Sequence, residues 1–189
     1  MTPLPDTLLE AVATAAVREG LADAVFTRLS TPIGKLLVVQ GSAGVVRVGF
    51  EEEPEDDVLA EVAGLLGPRI VGSDRELSST RETLEAYFEG EGDPHSLPVD
   101  LSLVAAPFRH IVLETLHDTV ARGQVVTYGA LAERAGNARA FRAAATACAR
   151  NPIPIVVPCH RVVPAGGGIG RYGGGAARKR ALLELEGSL

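Results

Sequence analysis

Residues 151–163 read NPIPIVVPCHRVV, and this stretch carries the strongest structural and chemical signals in the chain. The run Ile155–Val157 predicts a buried strand, because consecutive β-branched residues offer no polar face to water. Cys159, His160 and Arg161 follow it closely. A cysteine reacts as its thiolate, and a nearby base or positive charge favours that form. From the residues alone, Cys159 is either an inert packing residue or a nucleophile assisted by its neighbour.

Two short helices are predicted just before this stretch. The first covers Tyr128–Ala135 with Thr127 as its N-cap, the second covers Ala138–Arg150, and Gly136-Asn137 separates them. A tight turn between short helices in a basic region favours a helix–turn–helix, although ordinary helical hairpins share this pattern. The second helix consists largely of alanine. Such a slim helix suits either close helix packing or insertion into a groove of DNA with Arg142 projecting from it.

The N-terminal half is predicted to form a small sheet with helices. Apolar runs at Ala24–Leu29, Lys35–Gln40 and Val45–Phe50 are separated by turn signals and favour an antiparallel meander, whose third strand has one buried face. The predicted helices cover residues 6–20 (inner face Leu8, Leu9, Val12, Ala16), 58–66 (Val58, Leu59, Val62, Leu65, Leu66), 78–89, 108–120 and 176–186. Residues 91–106 lack periodicity, so we predict a linker there between domains at 1–90 and 107–189.

Charge is distributed unevenly along the chain. Residues 1–106 hold 7 Lys and Arg against 19 Asp and Glu, a balance of −12, whereas residues 107–189 hold 11 against 5, a balance of +6. This asymmetry favours a nucleic-acid partner for the second half, with ordinary solvated faces as the alternative. The two cysteines are too few for a disulfide framework or a zinc cluster. Residues 1–6 do not resemble a secretory signal and no apolar run spans a bilayer, so we expect a cytoplasmic protein.

The segment around Cys159 resembles the active-site segment of the O6-alkylguanine-DNA alkyltransferases. The similarity extends upstream to residues 123–132, GQVVTYGALA, and downstream to Tyr172–Gly175 and 178–187. It covers residues 107–187 continuously and, more loosely, residues 30–34 and 86–90. The resemblance implies an RNase H-like α/β N-terminal domain and a mostly α-helical C-terminal domain with a winged-helix-like helix–turn–helix.

The resemblance also implies a direct-reversal repair reaction and a role for each matching residue. Cys159 would accept the alkyl group from guanine O6 once per molecule, as a thioether. His160 would take the thiol proton through a water, and Glu186 would orient His160. Glu184 has the same composition as Glu186, and only the family register separates them. Tyr128 would donate a hydrogen bond to guanine N3, and Asn151 would tie the recognition helix to the active-site segment.

Substrate and DNA contacts follow from the same resemblance. The implied partner is double-stranded DNA carrying O6-alkylguanine, entered from the minor groove with the damaged nucleotide flipped out. Arg142 would fill the vacated space, and the DNA-contacting set would be Thr127, Tyr128, Ala140, Arg142 and Ala143. The pocket would be lined by Cys148, Pro158, Val162, Tyr172 and Gly173, with the Val162 carbonyl facing the guanine amino group. We expect a monomer with no cofactor, no metal and no membrane partner.

Two other functions remain open at this point. One is a non-catalytic sensor of alkylated DNA, although such alkyltransferase-like proteins lack the acceptor cysteine that is present here. The other is a thiol hydrolase or redox protein that uses Cys159 and His160, although no C-x-x-C pattern supports it.

Overall fold

The computed structural model describes residues 5–189. Residues 1–4, which make up most of the start predicted to lack a secretory signal, lie outside the described residues. Within residues 5–189, no helix combines the length and the apolar character that crossing a membrane requires.

A four-stranded sheet organises the N-terminal half. The elements are α1 (Asp6–Arg18), β1 (Ala24–Thr31), β2 (Gly34–Gly41), β3 (Gly44–Phe50), α2 (Glu55–Leu66), β4 (Ile70–Gly72) and α3 (Ser78–Phe88). The strand order is β3-β2-β1-β4. Antiparallel pairing of β1 with β2 and of β2 with β3 confirms the predicted meander. Strand β4 pairs parallel to β1 and was not predicted, because three residues are too few to show a periodic pattern.

Strand β3 is buried on both faces, so the prediction of one buried face is wrong. The register between β2 and β3 shifts at Val39/Gln40, which breaks the strict alternation of side chains. Val45 and Val48 consequently join the larger core, while Val46 joins a second core that α2 covers with Val58 and Val62.

The apolar face predicted for α1 is not buried either. Leu8, Leu9 and Val12 are 48%, 48% and 58% exposed, and Ala13 is the buried position. The helix is held instead by Glu10, whose carboxylate accepts a hydrogen bond from the Arg75 backbone N–H at 3.0 Å. In α2, Leu65 is likewise exposed rather than on the inner stripe. Apolar spacing identified both helices; it gave the wrong packing side for α1, whereas in α2 the rest of the predicted stripe, Val58, Leu59, Val62 and Leu66, does pack against the core.

The C-terminal half is mostly helical. It contains α4 (Pro107–Thr119), β5 (Val126–Thr127), α5 (Tyr128–Arg134), α6 (Phe141–Ala149), β6 (Val162–Val163) and α7 (Ala176–Leu185). The hydroxyl of Thr127 accepts a hydrogen bond from the Ala130 N–H at 3.1 Å, which confirms the predicted N-cap. Helix α6 begins three residues later than predicted, because Asn137 accepts hydrogen bonds from the next residues and holds them in a turn.

The strand predicted at Ile155–Val157 is wrong, although all three residues are fully buried. Ile155 has a φ of 78°, a left-handed conformation that no strand contains. The Val157 N–H donates to the Ile153 carbonyl at 2.8 Å, so the backbone polar groups are satisfied within a turn. This buried turn leads directly into a single 3₁₀ turn, Cys159–Arg161.

The two halves touch next to this turn. The Val48 N–H of β3 donates to the Pro152 carbonyl at 2.9 Å, and Arg178 of α7 donates to the Ile33 carbonyl at 2.7 Å. Residues of the predicted linker also pack, since Leu97 and Leu101 are buried. The division into 1–90, 91–106 and 107–189 stays a prediction.

Candidate active site

Cys159 begins the 3₁₀ turn and is 4% exposed. Its Sγ accepts a hydrogen bond from Asn151 Nδ2 at 3.1 Å. The same amide nitrogen donates to the Val157 carbonyl at 2.8 Å, and Asn151 Oδ1 accepts from the Ile153 N–H at 3.0 Å. Asn151 therefore connects the end of α6 to the turn and fixes the position of the sulfur.

Cys159 borders two openings at the surface. One is a cleft of about 520 Å³ lined by residues that include Phe50, Asn151 and Arg178. The other is a pocket of about 510 Å³. The second pocket has an apolar lining that includes the predicted residues Tyr128, Cys148, Tyr172 and Gly173. Pro158 and Val162 are buried and belong to neither lining.

His160 is fully buried on the inner side of the turn. Its Nε2 lies 2.9 Å from Glu186 Oε1. An ionised carboxylate can only accept, so Nε2 carries the proton and Nδ1 keeps its lone pair. Among the described residues, no side chain or backbone group bonds to Nδ1. His160 is therefore oriented by Glu186, with its basic nitrogen free to accept a proton. Glu184, the alternative carboxylate, is exposed on the same helix.

Glu186 is held by a buried network that the sequence did not predict. Arg161, itself fully buried, donates to both carboxylate oxygens at 2.9 Å, and the Tyr87 hydroxyl donates at 2.6 Å. Arg161 also donates to Asp93 at 2.9 Å. Burial alone would raise the pKa of Glu186, but the hydrogen bonds from His160 and Arg161 outweigh it and lower the pKa far below its usual value. Glu186 stays ionised.

Lys179 is a second buried cation near the sulfur. Its Nζ donates to the Val162 carbonyl at 2.6 Å. Burial lowers its pKa, while the nearby cysteines would raise it if ionised. A signal for Lys179 was present in the sequence, because Lys179, Leu182, Leu183 and Glu186 form one stripe of α7 at helical spacing.

The thiol is not ionised in the free protein at neutral pH. Burial raises the pKa of Cys159 to about 11, against the smaller opposing effects of the Asn151 hydrogen bond and the Lys179 charge. Burial also lowers the pKa of His160, so the imidazole is neutral and can act as a base. Thiolate formation therefore requires proton transfer to a group such as His160.

The predicted DNA-contacting residues lie on the helix–turn–helix. Arg142 and Ala143 are exposed on α6, Ala140 is its half-buried N-cap, and Thr127 caps α5. Only Tyr128 also reaches the pocket that Cys159 borders. Burial raises the pKa of its phenol to about 12, so Tyr128 remains a neutral hydrogen-bond donor. In residues 5–189, no group of three or more metal-ligating side chains could hold an ion.

Comparisons with known proteins address both halves of the chain. Residues 24–101 match the family model described as 6-O-methylguanine DNA methyltransferase, ribonuclease-like domain, and residues 107–188 match the DNA binding domain of the same family. The chain belongs to the O6-methylguanine-DNA methyltransferase family. The fold class predicted from the sequence is thereby confirmed, with a ribonuclease-like N-terminal domain and a DNA-binding C-terminal domain.

Individual members of the O6-methylguanine-DNA methyltransferase family are similar to this chain in sequence and in structure. A Methanosarcina acetivorans methylated-DNA–protein-cysteine methyltransferase is 34% identical over 158 residues, 84% of this chain and 95% of the relative. A Mycobacterium tuberculosis protein of that name is 44% identical over 109 residues, 58% of this chain and 64% of the relative, just under two thirds of its length. The crystal structure of the M. tuberculosis O6-methylguanine methyltransferase has a TM-score of 0.73 at 32% identity, covering 87% of this chain and 93% of that one. Another structure of that protein is in complex with DNA.

Two groups of the buried network, His160 and Glu186, should make the protein less stable as the pH falls. The pKa of His160 is lower in the folded protein than the ordinary value of about 6.5, so the unfolded chain binds more protons below that pH. The free energy of unfolding should fall as the pH drops below about 6.5. It should fall again below about 4.3, the ordinary pKa of a glutamate, because the pKa of Glu186 is also depressed.

Thermal melts between pH 8 and pH 5 test the first of these windows. We expect the wild-type melting temperature to decrease with acidification and His160→Gln to decrease less steeply. His110→Gln, on α4 outside the network, should keep the wild-type slope. An identical slope in wild type and His160→Gln would contradict the assignment of this window to His160.

Proposed function

We propose that this protein repairs O6-alkylguanine in DNA by a single, irreversible transfer of the alkyl group to Cys159. The Cys159 thiolate attacks the alkyl carbon, a C–S bond forms, and the C–O bond to guanine O6 breaks with its electron pair leaving on guanine. The observation that carries this proposal is the sulfur at the wall of an open pocket, with the Asn151 amide on it and the His160–Glu186 pair behind it. No group in the site offers a way to cleave the resulting thioether, so each molecule acts once.

His160 is proposed to receive the thiol proton at Nδ1. That nitrogen has no protein partner among residues 5–189 and is the basic one, because Glu186 holds the proton on Nε2. A water between Sγ and Nδ1 would complete the path. The ionised Glu186 stabilises the imidazolium that forms, as a carboxylate does in a Ser-His-Asp triad.

Tyr128 and Val162 are proposed to recognise the guanine. The Tyr128 hydroxyl, a neutral donor in the pocket, would hydrogen-bond guanine N3 and stabilise the leaving anion. The Val162 carbonyl accepts from Lys179 at 2.6 Å and has a second lone pair. Val162 does not line the pocket of the free protein, so this carbonyl would meet the guanine amino group only when the bound base presses into the pocket wall. Tyr172 and Gly173 would border the alkyl group.

DNA is proposed to bind along the exposed side of α6. An O6 alkyl group inside a duplex cannot reach a recessed sulfur, so the nucleotide must leave the stack. Arg142 is exposed on that helix and would occupy the space left behind. Small side chains such as Ala143 would allow the helix to approach the minor groove closely.

Mass spectrometry after incubation with a duplex that contains one O6-methylguanine tests this function. We expect one added methyl group per protein, located on the peptide that carries Cys159, and no second round of transfer. Binding to the duplex without modification would favour a sensor of alkylated DNA. An unmodified protein that does not bind the duplex would overturn the repair assignment. A thiol hydrolase or redox protein would then be the remaining alternative.

A further inference from the structure

Phe141 is an exposed aromatic residue on a helix whose other side chains, apart from Arg142, are small. It is the first residue of α6, and its side chain is 49% exposed. The buried side of α6 is supplied by Ala144, Ala147 and Cys148, and Phe141 belongs to neither of the two apolar cores. Single exposed apolar residues are common on protein surfaces, so the case for a binding partner depends on what lies around Phe141.

The ring lies directly against the Arg142 side chain. The Arg142 guanidinium carbon is 5.6 Å from the centroid of the Phe141 ring, a cation–π contact. Two adjacent residues that would otherwise diverge around the helix therefore form one projecting unit. This unit is continuous with the side of α6 proposed to face DNA.

The surrounding charge favours nucleic acid as the partner of this unit. Residues 134–151 contain Arg134, Arg139, Arg142 and Arg150 and no aspartate or glutamate. Protein surfaces that dock an exposed phenylalanine are mostly apolar, whereas a ring beside an arginine, in a segment with basic and no acidic residues, suits the stacked bases and phosphates of DNA. Aromatic and apolar side chains of minor-groove proteins insert between base steps and unstack them.

We propose that Phe141 is a second wedge residue, which stacks on the base pair next to the extruded nucleotide while Arg142 fills the gap. This inference rests on the proposed repair function and deepens it. The ring would replace part of the base stacking lost on extrusion and hold the guanidinium in position. Phe141 thereby acts on extrusion of the nucleotide and not on the chemistry at Cys159.

Single-turnover rates with two substrates separate extrusion from chemistry. With duplex O6-methylguanine, Phe141→Ala should be slower than wild type by roughly 10- to 100-fold, the range expected for loss of one aromatic–base stack. With a free O6-alkylguanine nucleobase, which needs no extrusion, its rate should match wild type within about twofold. Phe141→Tyr should keep the duplex rate, and a 2-aminopurine placed beside the lesion should report less unstacking with Phe141→Ala.

Leu65→Ala is the matched control, because Leu65 is an apolar residue of similar exposure, 41%, on α2 of the other domain. It should leave both rates unchanged. A duplex rate for Phe141→Ala equal to wild type would overturn the wedge, as would an equal loss on the duplex and on the free base. Failure of the wild type itself to methylate Cys159 would instead refute the repair function.

Discussion

Cys159→Ser is expected to abolish alkyl transfer, with a loss of at least about 10⁴-fold, the scale seen when a nucleophile is removed. Serine keeps an acceptor for the Asn151 amide in place of the sulfur, so the local structure should persist. Its hydroxyl is a far weaker nucleophile than a thiol and is harder to deprotonate by the same His160 path. The measurement is transfer of a labelled methyl group from duplex DNA to protein, with DNA affinity measured in parallel.

Cys148→Ala provides the matched control for this result. Cys148 is the other cysteine of the chain, is buried, and borders the same pocket. Burial raises the pKa of its thiol well above the ordinary value, and among the described residues no base comparable to the His160–Glu186 pair contacts it. Cys148→Ala should retain transfer. Labelled methyl found on Cys148 in the Cys159→Ser protein would show that the acceptor has been assigned to the wrong sulfur.

Arg161→Met is expected to destabilise the protein by about 3–5 kcal/mol, the usual effect of removing one partner from a buried ion pair. Both Arg161 and the Glu186 carboxylate are inaccessible to solvent. Without Arg161, the pKa of Glu186 should rise, because one of its main hydrogen-bond partners and a compensating charge are lost. Denaturant unfolding measures the effect as a lower midpoint with an unchanged slope.

Arg28→Met serves as the control for Arg161→Met. Arg28 pairs with Glu55 in an exposed salt bridge, with side-chain exposures of 62% and 37%. Such surface pairs contribute about 0–1 kcal/mol, so Arg28→Met should change stability little. Equal losses of stability in the two variants would mean that the buried Arg161–Glu186 pair contributes no more than an exposed salt bridge.

The secondary structure was predicted well where it depends on local pattern. The meander follows from its turn residues and the helices follow from the spacing of apolar residues. The N-cap follows from the Thr127 hydroxyl, which accepts a hydrogen bond three residues along the chain. Two of the errors, at α1 and β3, fall where a distant element decides the outcome. The exposed face of α1 and the doubly buried strand β3 depend on which element packs against each, and no local pattern contains that information.

In the candidate site, too, local sequence identified some residues, whereas other contacts depend on the fold. The motif around Cys159 and its resemblance to a family identified the thiol, the imidazole and the family register of Glu186. His160 and Glu186 are 26 positions apart in the sequence, and Tyr87, which binds the same carboxylate, is 99 positions away from Glu186. The first contact exists only after the C-terminal half folds, and the second only after the two halves pack together.

The amino-acid sequence by itself determined the order of the elements, the chemistry available in residues 151–163 and the family. Tertiary structure alone decided that Arg161 and Tyr87 hold Glu186 and that Phe141 stays in solvent beside Arg142. The physical reason is that element type depends mainly on neighbours within a few residues. Burial, pKa and hydrogen-bond partners depend on whatever the fold brings within a few ångströms.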